Sequence, residues 1–174
     1  MNAIAIGAAA AAALFTTTLP AQAQSDKDVQ ETIQQFEKGD SGMKAWFRDA
    51  HGYAVFPSVG KGAVGVGGAR GKGLVYERGT LIGKTTLTAV SIGLQLGGQA
   101  FREVIFFKDK TALDDFTRGN FEFEAGVSAV ALKAGASADL GYSKGVAVMT
   151  ATKGGLMYEA SVGGQKFSFE KATN

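Results

Sequence analysis

The chain has 174 residues, a formal net charge of +2, and 20 % charged against 45 % hydrophobic residues, which suits one folded domain and excludes wholesale disorder. It holds no cysteine, one histidine, two prolines and 25 glycines. Disulfide-linked partners, thiolate and multi-histidine metal centres, cysteine nucleophiles and a collagen repeat are thereby excluded, and so mild a net charge does not indicate a nucleic-acid protein.

Residues 1–23 carry no Lys, Arg, Asp or Glu. Within them, residues 4–15 are an alanine-rich apolar run, shorter than the ~20 residues that span a bilayer. Ala21-Gln22-Ala23 then reads as an A-x-A cleavage site, although the start of the run has no basic side chain. The expectation is a signal peptide over 1–23, a single domain over 24–174, and delivery to a bacterial periplasm or envelope. An N-terminal membrane anchor is the alternative.

Ser25 with Asp26 and Asp28 reads as a helix start. Val29, Ile33 and Phe36 follow on one helical face, and Gly39-Asp40-Ser41-Gly42 interrupts it. A second short helix carries Met43, Trp46, Phe47 and Ala50 on one side and Lys44 and Arg48 elsewhere, with Gly52 as its stop. After His51 the period becomes two. Tyr53 to Phe56 is a short apolar run ended by Pro57. Val90, Ile92, Leu94 and Leu96 alternate with small or polar residues, and Val104 to Phe107 reads as a strand buried on both faces. A helix from Asp109 to Arg118, closed by Gly119, interrupts the strands. Phe121 to Ala129 alternates again, followed by strand patterns at Val146 to Thr150, Leu156 to Val162 and Lys166 to Phe169. Gly-Gly and Lys-Gly pairs stand at hairpin spacing between several of these. The fold class is α+β: mostly antiparallel β, a curled sheet or small barrel or sandwich of about eight strands, with N-terminal helices and one inserted helix.

Two glycine-rich segments approach nucleotide motifs and fail on context. Gly60 to Gly65 fits G-x-G-x-x-G, but no amphipathic helix follows it. Gly79 to Thr85 is one residue short of a phosphate loop and leads into a strand pattern. His51 has no serine motif to serve. Glu122 and Glu124 share a strand face, which offers a cation site or simply a solvated face. Charge is placed unevenly. Residues 60–84 hold five bases (Lys61, Arg70, Lys72, Arg78, Lys84) against Glu77 alone, whereas residues 109–139 hold six acids against three bases. Glycines beside the bases expose amides as further anion donors. The region is an anion site, a lipid headgroup being the obvious anion at an envelope, or a set of hairpin tips kept soluble by charge. Trp46 and Phe47, between Lys44 and Arg48, read either as an interfacial anchor or as a helix docked on the sheet.

Asp49 to Gly62, then Gly65 to Gly73, resemble the SYLF domain family. So do Val90 to Gln99 with Glu103 to Phe107 after it, the Ala/Gly-rich stretch from Ala125 to Tyr142, and the closing Gly154 to Glu159. The likeness spans nearly all of residues 24–174, with the motifs in the family's order. It implies a lipid-binding module rather than an enzyme, without a cofactor. Eukaryotic members bind phosphoinositide membranes, and some yeast members bind actin filaments. An amphipathic N-terminal helix and basic residues serve membrane binding in the family. By position these are the helices between Asp26 and Ala50, together with Lys61, Arg70, Lys72 and Lys84. Many bacterial members look like lipoproteins; with no cysteine, this chain is not expected to carry that anchor. Actin is not an expected partner in a periplasm. Anionic phospholipids such as cardiolipin or phosphatidylglycerol are.

The leading expectation is therefore a non-enzymatic, peripheral phospholipid-binding protein of the envelope that meets anionic membranes through basic Gly-rich loops and an N-terminal amphipathic helix, with Lys61, Arg70, Lys72, Lys84, Lys44, Trp46, Phe47 and Arg48 as contact residues. Two alternatives stand beside it. One is a β-barrel carrier of a small apolar ligand, with Ala89, Ser91 and Gly93 lining its cavity. The other is a structural envelope protein that contacts peptidoglycan or lipopolysaccharide.

Overall fold

The computed structural model describes residues 21–60, 68–89, 100–153 and 160–173. Helix α1 (Ala21–Gly39) starts ahead of Ser25, because the Ala and Gln residues before it continue the helix. Val29 and Phe36 are fully buried and Ile33 partly so, as the spacing predicts. Asp40 breaks the helix and ties the corner down. One carboxylate oxygen accepts from the Gly42 amide at 3.0 Å, and the other accepts from the Ser137 amide at 2.6 Å. The hydroxyl and amide of Ser137, followed by the Gly42 amide, hold this carboxyl below the usual range. Helix α2 (Met43–Asp49) follows.

Nine strands are described: β1 (Gly52–Gly60), β2 (Ala69–Glu77), β3 (Thr80–Ala89), β4 (Phe101–Phe107), β5 (Phe121–Glu122), β6 (Ser128–Ala131), β7 (Val146–Thr152), β8 (Ala160–Ser161) and β9 (Gln165–Lys171). Helix α3 (Lys110–Thr117) lies between β4 and β5, capped by Asp109, which accepts from the Ala112 amide at 2.9 Å. Gly119 follows it in the left-handed region, φ +84°. The strand order is β5-β9-β3-β2-β1-β4-β7-β6-β8, antiparallel throughout except for β6 on β7. The two ends of this order meet. β5 and β6 are parts of one run, 121–131, and β8 and β9 are parts of another, 160–171. Amide bonds from Phe123 to Gln165, Gly164 to Phe123 and Val162 to Val127 stitch the two runs together between their ladders. The sheet is thus curled back on itself, and the α+β class holds.

Several elements differ from the sequence reading, which assigns no strand to Ala69–Glu77 and treats residues 60–84 as glycine-rich loops or hairpin tips, whereas β2 and β3 are full strands there. β1 passes straight through Pro57, because both of its ladders slip there; a bulge needs no amide from the proline. The alternating run from Phe121 breaks into β5 and β6 around Gly126, whose φ of +92° turns the chain. β8 is described only at Ala160–Ser161; most of the expected 156–162 strand, and the expected strand at 90–96, lie outside the described residues.

Curling creates two cores. Ala54, Phe56, Ile105, Phe107, Leu87, Val148 and Phe167 fill the interior, closed at one end by Leu113 and Phe116 of α3. Tyr53, Val55, Leu74, Val104, Phe106 and Met149 form the outer core under α1, α2 and the 3-10 turn Ala136–Ala138. The bulge in β1 lets Phe56 and Val59, three residues apart, both join the interior. Gly73 sits against this ring: a Cβ there would stand 2.5 Å from the Val55 carbonyl and 2.8 Å from the Phe56 ring.

Glu103 lies fully buried in the interior, opposite Thr150 on β7. Gln165 of β9 donates to its Oε2 at 3.0 Å. Glu103 Oε1, Gln165 Oε1 and Thr150 Oγ1 have no partner among the described residues. Burial pushes the carboxyl up to about 7, with the Gln165 bond pulling weakly the other way. Protonation turns this carboxyl from an acceptor alone into a donor as well.

Gly73→Ala lowers stability by about 1–3 kcal/mol in thermal or urea unfolding, as overpacking does. Gly141→Ala, with open space and no positive φ, stays within about 0.5 kcal/mol. The carboxyl of Glu103 titrates near 4.5 when unfolded and near 7 when folded. Ionisation is therefore penalised in the folded state, and stability falls as pH rises through that window, by about 3 kcal/mol in all. Glu103→Gln flattens this dependence and is the more stable protein at pH 8; parallel curves for the two proteins would refute the assignment.

Candidate functional site

Strand register decides which of the predicted basic residues meet. Arg70 opposes Gly60 on β1 and Thr88 on β3, and Thr88 opposes Lys166 on β9. Lys72 opposes Ser58 and Thr86, and Thr86 opposes Ser168. Lys84 lies two residues from Thr86 on the same face of β3, a diagonal of about 7–8 Å from Lys72. Interior positions on these strands are held by Thr85, Leu87, Ala89, Gln165 and Phe167, all buried, so the bases and hydroxyls point outward. Arg70, Lys72, Lys84 and Lys166 are exposed. Among the described residues no ion pair reaches the first three, and Lys166 meets Glu122 of β5 at 3.8 Å. The result is an outward face of four bases set among Ser58, Thr86, Thr88 and Ser168, with the exposed Glu170 of β9 opposite Lys84 at one end. Lys61 lies outside the described residues. Lys166 escapes a reading along the chain, because only the β3–β9 ladder brings it to residues some eighty positions earlier.

The helix candidates sit elsewhere. Trp46 packs on Phe106 and Tyr142 with ring centroids 5.4 and 5.1 Å apart, and its Nε1 donates to the Ser137 carbonyl at 3.3 Å. Phe47 meets Phe106 and Tyr53 edge-on, each at 5.1 Å. The apolar side of α2 is thus spent on the outer core. Lys44 and Arg48 are exposed on it, and Arg48 pairs with Asp49 at 2.7 Å. Tyr76, the β2 partner of Tyr53, lies four residues from Lys72, roughly 13 Å along the strand. The structure therefore places seven of the eight candidates in two patches, and Lys61 lies outside the described residues.

The remaining polar groups offer little chemistry. His51 Nε2 meets Glu77 Oε1 at 2.9 Å, and its backbone is held by Phe107 and Arg78. Glu122 and Glu124 each pair with a lysine, Lys166 and Lys144. Among the described residues there is no group of three or more His, Cys, Asp or Glu placed to hold a metal, and no helix long and apolar enough to cross a membrane.

Comparison with known proteins adds to this geometry. The family model described as Ysc84, Las17-binding protein actin regulator, matches residues 88–174. Beta cell expansion factor A of Aeromonas veronii is 31 % identical over 131 residues, covering 74 % of this chain and 49 % of that protein. The chain therefore spans about half the length of this curated relative.

Proposed function

The chain belongs to the Ysc84 (SYLF) family, and from that premise we propose that it is a non-enzymatic binding protein for anionic phospholipid membranes, working at the bacterial envelope. The observation that carries this reading is the outward face of Arg70, Lys72, Lys84 and Lys166, where among the described residues Lys166 is ion-paired with Glu122, Lys84 stands opposite Glu170 without an ion pair, and Arg70 and Lys72 face no acid across their ladders. Lipid phosphates accept hydrogen bonds, and this face offers amines, a guanidinium and hydroxyls. Each base near an anionic leaflet contributes about 1 kcal/mol, so four give binding that is useful and readily screened by salt. Membrane contact runs through the sheet face, while α1 and α2 stay docked. The envelope location rests on the apolar run at residues 4–15 and the A-x-A pattern that follows it.

Flotation with vesicles tests the reading. The protein is expected to float with phosphatidylglycerol-containing vesicles at low salt, to be released at high salt, and to ignore neutral vesicles. Arg70→Glu, Lys72→Glu and Lys84→Glu combined lose flotation and keep the native circular dichroism. Trp46 is the only tryptophan, and its emission stays unchanged on binding if α2 remains docked. A folded triple variant that still floats would remove the basic face from the account, and a blue shift of Trp46 would transfer the contact to α2.

A further inference from the structure

β7 is laddered to β4 along its whole length, but to β6 only through Met149 and Thr150. Alongside the first half of β7 the wall parts. A cleft of about 610 Å³ opens there between Val146, Val148 and the bent run that carries Phe121, Phe123, Val127 and Val130. Phe123, Val127, Val146 and Val148 belong to or pack on the interior core, so the cleft leads from the surface into the apolar centre. Its size falls within the range of about 300–1,000 Å³ usual for small-molecule sites. Lys144 and Glu124 reach across the mouth from opposite sides and pair there, both well exposed. Tyr142, the one large hydrophobic side chain exposed among the described residues, stands beside them.

The cleft adjoins the basic face. The row Arg70, Thr88, Lys166 ends on Glu122, and Glu122 also lines the cleft. A phosphate held at Lys166 is thus one side chain away from an apolar slot. The polar lining residues Glu122, Glu124, Ser128, Asp139, Ser143 and Lys144 stand beside Phe and Val side chains that continue into the apolar core, where a hydrocarbon chain gains by leaving water. The exposed Lys144–Glu124 pair is a weak closure that water readily replaces.

We propose that this cleft takes up one acyl chain of an anionic phospholipid whose phosphate rests on the Lys166 end of the basic face. The proposal builds on the membrane reading above and adds to it a single stoichiometric lipid. Native mass spectrometry after incubation with phosphatidylglycerol vesicles tests it, with flotation run in parallel. A one-to-one lipid adduct is expected. Ser128→Trp, from an exposed position on β6 that lines the cleft, lowers the adduct at least tenfold while flotation persists. Ala125→Trp, on the exposed turn of the same run, is the second variant if Ser128→Trp does not fold. Wild-type protein that floats without an adduct overturns the cleft and leaves the membrane reading intact. An adduct that survives both tryptophan variants also overturns it, because the lipid then sits elsewhere. An adduct formed by protein that does not float, and lost in the variants, supports the cleft and removes the membrane-surface reading.

Discussion

Phe106 lies under the rings of Trp46 and Phe47 on one side of β4, while its neighbours Ile105 and Phe107 fill the interior on the other. A strand with two dry faces needs two separate covers. The curl of the sheet and α3 supply one; α1, α2 and the turn at Ala136–Ala138 supply the other. The bond from Ser137 to Asp40 ties these outer pieces to each other across 97 residues. Full burial of one phenylalanine stabilises by about 1.5–3 kcal/mol, so lifting α2 away would wet Phe106 at considerable cost. Magnitude therefore decides which of the two candidate patches is free to act: the sheet face is already in water, and the helix face is occupied.

The parts of this architecture that depend on local pattern were legible in the chain. Val29 and Phe36 declare the buried side of α1 by spacing, and Val104 to Phe107 declare a strand without a wet face. Asp109 announces the start of α3. What was not legible depends on partners far away in sequence. Pro57 reads as a strand end unless one knows that β1 carries one extra residue there against both neighbouring strands. Phe121 to Ala129 reads as one strand because alternation carries no record of the turn that Gly126 makes to follow Gly163 and Gly164. Glu103 has the spacing of an inward residue, but its chemistry depends on Gln165, which a period of two cannot reveal.

The candidate site divides in the same way. The bases were legible as a cluster along the chain, but read as glycine-rich loops; Arg70 and Lys72 share a face because they alternate along the strand β2, and Lys84 joins them through the tight turn at Arg78 and Gly79. Lys166 and the hydroxyl of Ser168 arrive only with the last ladder. The opening beside β7 is less visible still, since it results from a parallel contact of two residue pairs on one side of a strand whose other ladder, to β4, has seven. The family match over residues 88–174 includes Lys166 and the cleft and stops short of Arg70, Lys72 and Lys84.

The meeting of β3 with β9 has a consequence in time. Thr85 bonds to Ser168, 83 residues further on, so the ring of strands closes only after nearly the entire chain is available. Contacts of such separation slow folding, because loop-closure entropy must be overcome before the pairing is rewarded. Until β9 arrives, β3 presents a bare edge and the ring of Phe56 lacks its neighbour Phe167. That half-built sheet is the species most exposed to pairing with another copy of itself, and the final seven-residue strand is what ends its exposure.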